Sequence, residues 1–280
     1  MCGHYRSDDR NVVVCVRELV YTEFAKKRVL DIYHRNSTHS KWHYSDSIIH
    51  PERDRSNSFG NAVALSEDGG VILISDATPH SAGTVYEYTA WDHRWEPSGF
   101  YRQKVHGYGH AVALSPDATQ VIIGAQSIEG PGVVYCYHRG GLLLQELRQQ
   151  RIPTCLDSFG AALVYDSVSH LLIVGAPRSE PLQYFEKAPY QGFGHVHFYE
   201  CIEDQWVYSE DPRHRWFGRT GYGIDLYLTS SRHDVAKETL CVQDGNRIMR
   251  YNPDDWRLPP STTTSDLDKT HASTDSTRIS

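Results

Sequence analysis

The residues that could do chemistry are few, and the first candidate is the histidine pair His195-Val196-His197. Two side chains one residue apart project from the same face of a β-strand, which is the arrangement that a pair of zinc ligands requires. Cys201 is near in sequence, but no third ligand has a compelling position. A chain with 16 histidines produces such pairs by chance. We therefore predict no metal site at this pair.

Catalytic acids and nucleophiles are equally sparse. Glycoside hydrolysis needs two carboxyl groups about 5 to 9.5 Å apart, whereas the stretches that we predict as innermost strands contain one acid, Asp225. Ser158 and Ser179 lack the elbow motif that surrounds a nucleophilic serine. The glycines of Gly107-Tyr108-Gly109-His110 match neither common phosphate-binding pattern. We predict that the protein is not an enzyme and has no catalytic residue or cofactor.

The elements that would position these residues form a repeat. Ser58–Tyr88 contains an aromatic-glycine step, an alternating strand, a turn, an apolar strand, a loop and a strand that ends in aromatic residues. The pattern returns at Gly107, at Ser158 and, faintly, at Gly221. Four aromatic-glycine pairs mark it, about every 50 residues: Phe59-Gly60, Tyr108-Gly109, Phe159-Gly160 and Tyr222-Gly223.

Each repeat predicts four antiparallel strands, of which the last usually opens on tryptophan: Trp95, Trp206 and Trp256. Leu142–Leu144 takes that place in one repeat. The same phase predicts the second to fourth strands of an earlier unit at residues 12–16, 28–33 and 42–45. A four-stranded unit with this period is typical of a β-propeller. We predict an all-β protein of about five blades, at residues 1–55, 57–105, 106–156, 157–219 and 220–257.

Composition narrows the classes of function. The net charge of −7 argues against a dedicated nucleic-acid surface, and no run of 18 apolar residues predicts a membrane span. The amino terminus has no apolar signal region, and six scattered cysteines without a CxxC pair suit free thiols, so we expect an intracellular protein. Residues 258–280, rich in Ser and Thr, are predicted to form a disordered tail.

With the repeat laid out, the chain resembles the FG-GAP repeat, a family that includes the propeller of integrin α subunits. Phe159-Gly160 and Gly175-Ala176-Pro177 contain both halves of that motif. In two other repeats the second half has drifted to Ser75-Asp76-Ala77 and Gly124-Ala125-Gln126. The resemblance covers about residues 7–257. It implies a propeller that makes protein–protein or adhesive contacts without catalysis.

Two departures from the FG-GAP family affect what the resemblance implies. Integrin-type repeats often bind calcium between the first and second strands, and calcium takes six to eight oxygen ligands. The equivalent loops here offer Glu67 with Asp68, Asp117 alone, and Asp166, so the motif is degenerate and we predict no calcium site. The integrin propeller has seven blades and this chain supplies about five. Either the ring closes at five blades, which we predict, or a partner completes it.

The candidate contact surface lies where one repeat departs from the others. Unit four is expanded at Pro177–Tyr190, an aromatic and charged stretch typical of contact surfaces. The neighbouring segment Asp211–Phe217 is predicted to be an inter-blade loop on the same face. The candidate partner-binding residues are Arg178, Glu180, Tyr184, Phe185, Lys187, Tyr190, Arg213, Arg215 and Trp216. Alternatively, Trp216 and Phe217 pack between blades while the arginines are merely solvated.

The sequence therefore favours a non-enzymatic protein-interaction or scaffold module with a protein partner, and it leaves the oligomeric state open. Two alternatives remain. One is a propeller hydrolase or glycan-binding lectin that uses the central channel, which convergent acids in the channel would favour. The other is a structural subunit of a larger assembly, which an apolar face without convergent polar groups would favour.

Overall fold

The fold is a five-bladed β-propeller, as predicted. The structure is a computed structural model, and it describes residues 4–6, 11–22, 25–37, 39–52, 58–78, 80–92, 94–127, 131–149, 158–177, 194–214, 216–218, 222–229, 238–244 and 247–257. The predicted tail, residues 258–280, lies outside this range. Within it, no helix is long and apolar enough to cross a membrane.

Each blade is one antiparallel sheet whose strands follow chain order. The first blade contains β1 (His4–Arg6), β2 (Val12–Thr22), β3 (Ala25–His34) and β4 (His43–Ile49). The second contains β5 (Phe59–Leu65), β6 (Val71–Asp76), β7 (Ala82–Trp91) and β8 (Arg94–His106). The third contains β9 (Tyr108–Leu114), β10 (Gln120–Ala125), β11 (Val133–His138) and β12 (Leu142–Leu147).

The last two blades are less regular. The fourth contains β13 (Ala162–Asp166), β14 (Leu171–Ala176), β15 (Gly194–Ile202) and β16 (Gln205–Tyr208), and β17 (Trp216–Gly218) also pairs with β15. The described part of the fifth contains three strands, β18 (Tyr222–Thr229), β19 (Thr239–Asp244) and β20 (Arg247–Tyr251). A four-residue helix, α1 (Pro253–Trp256), follows β20.

Four apolar clusters hold the blades together, and each lies between two consecutive blades. The second strands supply much of this core, since every residue of β10 and β14 is buried. A strand that packs against a blade on each side needs apolar residues on both faces. That requirement explains why these strands appear in the sequence as continuous apolar runs.

The prediction that Trp256 opens a fourth strand is wrong. Pro253 suits the first position of a helix, and the Asn252 N–H donates to Asp255 Oδ2 at 2.8 Å, so the chain turns into α1. Trp256 is nevertheless fully buried between blades four and five. Trp95 and Trp206 are buried between blades in the same way. The repeat therefore predicted the environment of Trp256 but not its secondary structure.

The aromatic-glycine pairs are the joints between blades. The aromatic rings of Phe59, Tyr108 and Phe159 are fully buried. The mark glycines, by which we mean Gly60, Gly109, Gly160 and Gly223, all have φ between +76° and +85°. L-residues with a side chain avoid this left-handed region.

Packing across the joint adds a steric constraint. A Cβ on Gly160 would lie 3.0 Å from Val134 Cγ2 and 3.3 Å from Gly124 Cα, both in the preceding blade. In return, a Cβ on Gly124 would overlap the carbonyl oxygen of Gly160. In blade two the position of Gly124 is taken by Ser75, whose hydroxyl donates to the Gly109 carbonyl. The aromatic-glycine half of the motif in one blade therefore contacts the Gly-Ala-Pro half, or its drifted form, in the preceding blade at each of these joints.

We expect Gly160→Ala to lower the free energy of unfolding by about 2–4 kcal/mol, because it adds a close inter-blade contact to an unfavourable φ. Gly141→Ala is the matched control: φ is +98° and no atom lies within 4 Å of the position that a Cβ would take, so only the backbone cost of about 1–2 kcal/mol should appear. Urea unfolding measures both. Equal losses in the two variants would refute the packing role of the mark glycine.

Candidate functional site

One face of the propeller gathers the links between blades and the loops between second and third strands. The N–H of Gly107, in the link between blades two and three, donates to the carbonyl of Ser81, in the loop between β6 and β7, at 3.0 Å. We call this the link face and define it by His50, Glu52, Ser58, Ser81 and Gly107. The opposite face carries the turns between first and second strands.

The link face contains a polar cavity of about 730 Å³ at the seam between blades one and two. Its wall combines guanidinium, carboxylate, hydroxyl and aromatic groups, among them Arg28, His50, Ser58, Asp76, Tyr86 and Arg102. The cavity therefore offers hydrogen-bond donors and acceptors side by side.

Asp76 organises the floor of this cavity. Its Oδ1 accepts a hydrogen bond from Ser58 Oγ at 2.7 Å, and its Oδ2 lies 3.0 Å from His50 Nε2. His50 Nδ1 lies 2.7 Å from the Glu52 carbonyl oxygen and 2.9 Å from the Glu52 nitrogen, so both ring nitrogens have hydrogen-bond partners. The carboxylate thus lies between the serine and the histidine. A catalytic triad needs the histidine between the other two residues, so this group does not have the order of a triad. Its hydrogen bonds fix the positions of the three side chains.

The wall of the cavity is formed by side chains from different blades. Arg102 Nε donates to Thr84 Oγ1 at 3.0 Å in blade two, and Arg28 Nε lies 3.5 Å from Glu18 Oε1 in blade one. The Tyr86 ring packs edge-on to His50 at 5.5 Å, and burial raises the pKa of the Tyr86 hydroxyl. Sequence reasoning missed this cavity. The only signal was the drift of the second half of the motif to Ser75-Asp76-Ala77.

The first strands line a central channel of about 820 Å³, mostly with Ala, Val and Leu. Its acids among the described residues are Asp225, on β18, and Glu67, in the turn after β5. Asp225 corresponds to Ala62 in the repeat, and at about 3.3 Å per residue Ala62 and Glu67 lie about 16 Å apart along the strand. That separation is too long for a pair of catalytic carboxyl groups.

Two polar groups of the channel have shifted pKa values. Burial raises the pKa of the Asp225 carboxyl and lowers the pKa of the His110 imidazole. Asn61 is a further polar residue of the lining, and most of the other lining residues are apolar.

Most of the predicted contact residues lie outside the described residues: Arg178, Glu180, Tyr184, Phe185, Lys187, Tyr190 and Arg215. The backbone of Trp216 is described, and it corrects one prediction. The segment 211–217 is not simply an inter-blade loop, because Pro212–His214 forms a short 3-10 helix and Trp216–Gly218 pairs with Gly194–Val196 of β15. Strand β17 therefore lies beside the residue at which the chain re-enters the sheet after the insertion.

Arg213 has an intramolecular role that the sequence did not predict. Its Nη2 lies 2.7 Å from Asp211 Oδ2, and its Nη1 donates to the carbonyl of Arg257 at 3.0 Å. Hydrogen bonds from Arg213 lower the pKa of Asp211 to about 2. Arg213 thus connects blade four to the residue that follows α1.

Neighbouring residues extend this connection into a clasp, which we define as Asp166, Arg213, His214, Trp256 and Arg257. The His214 ring stacks on Phe198 with centroids 4.3 Å apart, and its Nε2 donates to the Trp256 carbonyl at 2.6 Å. Arg257 donates to both carboxylate oxygens of the buried Asp166, at 2.6 and 3.1 Å. The clasp fastens the segment that follows β20 to blade four.

The histidine pair and the acidic turns have structural contacts. His197 is buried with its ring centroid 5.4 Å from that of Phe159, and the described residues contain no group of three metal-ligating side chains. In two turns the carboxylate accepts hydrogen bonds from its own loop. Asp68 accepts from Ser66 at 2.6 Å, and Asp117 accepts from Ser115 at 2.6 Å. The absence of a calcium site stays a prediction.

Comparison with family models and with curated proteins gave no match. Among solved structures, the β-propeller domain of Cps50 (Swd1) from Myceliophteria thermophila matches with a TM-score of 0.55 and 12% identity, over 94% of this chain and 67% of that one. TolB from Acinetobacter baumannii matches at 0.44 and 11%, over 89% and 53%. The propeller domain of the Trilobed protease from Pyrococcus furiosus matches at 0.43 and 9%, over 89% and 71%.

The match with the Cps50 (Swd1) domain supports the propeller fold alone. The chain spans about half the length of TolB. The comparisons do not test the FG-GAP resemblance, which stays a prediction from the sequence.

We expect the clasp to be a cooperative structural element. Asp166→Asn removes the carboxylate that accepts two hydrogen bonds from the buried Arg257 and leaves Glu238 Oε2, 3.8 Å from Arg257 Nη2, as a more distant anionic partner, so it should cost about 3 kcal/mol of unfolding free energy. Arg257→Met should cost a similar amount. In urea unfolding the double variant should lose clearly less than the sum of the two single losses. Additive losses would show that the ion pair does not couple the two segments.

The acidic turns should contribute to the pH dependence of stability. For Asp117, burial acts to raise the pKa, but hydrogen bonds from Ser115 and Thr119 outweigh it and lower the pKa below 3.8. A depressed carboxyl pKa stabilises the fold above the unfolded pKa, and this contribution is lost as the pH falls through the folded pKa. The stability gap between wild type and Asp117→Asn should therefore shrink from about pH 5 to pH 2. A constant gap for Asp117→Asn would contradict the assignment.

Proposed function

We propose that this protein is a non-enzymatic protein-interaction module whose contact surface is the link face. The observation that carries the proposal is the Ser58–Asp76–His50 group on the floor of the cavity. These three side chains fix one another, and the guanidinium groups of Arg28 and Arg102 stand on the wall. Arginine and tyrosine are enriched at binding hot spots, and a peptide chain presents both donors and acceptors to such a cavity.

The insertion of blade four extends the same face in this proposal. It joins a second strand to a third strand, as does the loop that borders the cavity in blade two. Strand β17 lies beside Gly194, where the insertion ends. We propose that Tyr184, Phe185 and Trp216 supply aromatic contacts, with the predicted charged residues around them.

The alternative functions have less support. A hydrolase or lectin that uses the central channel would need convergent polar groups, and Asp225 and Glu67 are too far apart to form a catalytic pair. A purely structural subunit would need a continuous apolar face. The large exposed apolar residues are instead dispersed over the outer parts of several blades, for example Trp91, Phe100 and Leu142. Dispersed apolar residues are normal on a protein surface.

The proposal predicts loss of partner capture in two separate variants. Arg28→Ala/Arg102→Ala changes the cavity, and Tyr184→Ala/Phe185→Ala/Trp216→Ala changes the insertion side. Each should lower capture of the same partner by roughly tenfold or more, since truncated hot spots cost at least about 2 kcal/mol. Quantitative affinity purification with mass spectrometry measures capture.

Matched controls lie on the opposite face. Arg94→Ala and Trp91→Ala truncate an exposed arginine and a tryptophan that is 75% exposed, near the turn between β7 and β8. They should leave capture unchanged, and thermal unfolding should confirm that all variants fold. Undiminished capture in both link-face variants, or equal loss in the controls, would refute the proposal.

A further inference from the structure

The outer edge of blade five differs from that of the other blades. In blades one to three, the third strand pairs with a fourth strand, and in blade four it pairs with β16 and β17. The third strand of blade five is β20, and within the described residues it pairs only with β19. Ile248 and Met249 on β20 are 45% and 41% exposed, and Arg247 and Arg250 are exposed as well.

The chain itself explains why no fourth strand follows directly. After Tyr251 it turns into α1, and the clasp then holds Trp256 and Arg257 against blade four. Residues 252–257 are therefore engaged elsewhere and do not return along β20.

The edge of β20 lacks two common protections. Natural sheets protect exposed edges with bulges, prolines or very short strands. The pairing of β19 with β20 is regular over all five residues, as are the second–third strand pairings of blades two to four, and β20 contains no proline.

We propose that the outer edge of β20 binds an extended acidic segment of a partner protein, which adds to blade five as its fourth strand. Strand addition of this kind takes its affinity from main-chain hydrogen bonds and its specificity from alternate side chains. The four exposed residues of this edge include two cations and no anion. Of the described acids, Asp244 on β19 is the register partner of Arg247, whereas Cys241 is the partner of Arg250, and Asp254 and Asp255 lie beyond the end of the strand on α1. Apolar residues of the segment would cover Ile248 and Met249, and its acids would pair with the arginines.

A second copy of this chain is a poorer occupant. Antiparallel pairing of two β20 strands would bring four arginines onto one short ladder, and like charges directly opposite each other destabilise strand pairs. The surface is separate from the link face, so this inference does not depend on the proposed function.

The probe for the test is a fluorescein-labelled octapeptide, Glu-Val-Val-Glu-Glu-Val-Val-Glu, with blocked ends, titrated into the full-length protein. This order can place acids opposite Arg247 and Arg250 and valines opposite Ile248 and Met249. We expect binding in the micromolar range and slower amide hydrogen exchange at residues 247–250. N-methylation of alternate peptide amides should abolish binding, because it removes the main-chain donors. Binding that survives N-methylation would overturn the proposal. The proposal would also be overturned if the peptide binds neither the full chain nor a chain that ends at Arg257.

Charge reversal tests specificity without removing the strand. Arg247→Glu/Arg250→Glu should weaken the Glu-Val peptide at least tenfold and should bind the matching Lys-Val peptide instead. Arg94→Glu, at an exposed site on β8, is the control and should change neither affinity. If the reversed variant keeps its preference for the acidic peptide, the arginines do not select the partner.

Two further measurements test whether residues 258–280 or a second copy of this chain occupies the edge instead. A chain that ends at Arg257 should bind the peptide with unchanged affinity. If it binds and the full chain does not, residues 258–280 occupy the edge and the proposal is wrong. We expect sedimentation to show no concentration-dependent dimer. A dimer that disappears on Arg247→Glu/Arg250→Glu would assign the edge to a second copy and contradict the proposal.

Discussion

The structure depends on one close contact that is repeated at the joints between blades. A glycine in the left-handed region opens the first strand of a blade, and its backbone packs against the end of the second strand of the blade before it. Gly160 with Gly124 and Gly223 with Gly175 are the tightest described forms, because in each pair both residues lack a Cβ where the other backbone approaches. The contact brings the small residues of the first strands to the central axis. It also buries the preceding aromatic ring in the cluster between the two blades.

The same contact explains the position of the candidate site, the polar cavity between blades one and two. In blade two the joint uses Ser75, whose hydroxyl bonds to the Gly109 carbonyl, so this position no longer requires glycine. The next residue, Asp76, then projects towards the link face, where Ser58 and His50 fix its carboxylate. Ser75 thus keeps the packing role that this position of the motif has, and the adjacent Asp76 forms the floor of the cavity. In blade two the repeat therefore diverges at Ser75 and Asp76, where packing at the joint does not require glycine.

Blade five is fastened to blade four in a different way. Its third strand leads into α1, and contacts with blade four fix the residues that follow. Trp256 fills the inter-blade site that Trp95 and Trp206 fill from strands, but it reaches that site from a helical turn. The buried pair Arg257–Asp166 and the stacked His214 hold the turn in place. This arrangement secures the core of blade five and leaves the edge of β20 exposed.

The sequence by itself determined the architecture. The propeller fold and most of its strands follow from patterns within about 50 residues, and the structure confirms the all-β propeller with five blades. Local patterns suffice there because each joint imposes the same requirement for glycine, an aromatic ring and an apolar strand. Only the tertiary structure decided that Trp256 is helical, that Arg213 belongs to a clasp, and that Arg28 and Arg102 meet at one cavity. Those contacts join segments from different blades, and no spacing along the chain encodes which side chains two separate blades bring together.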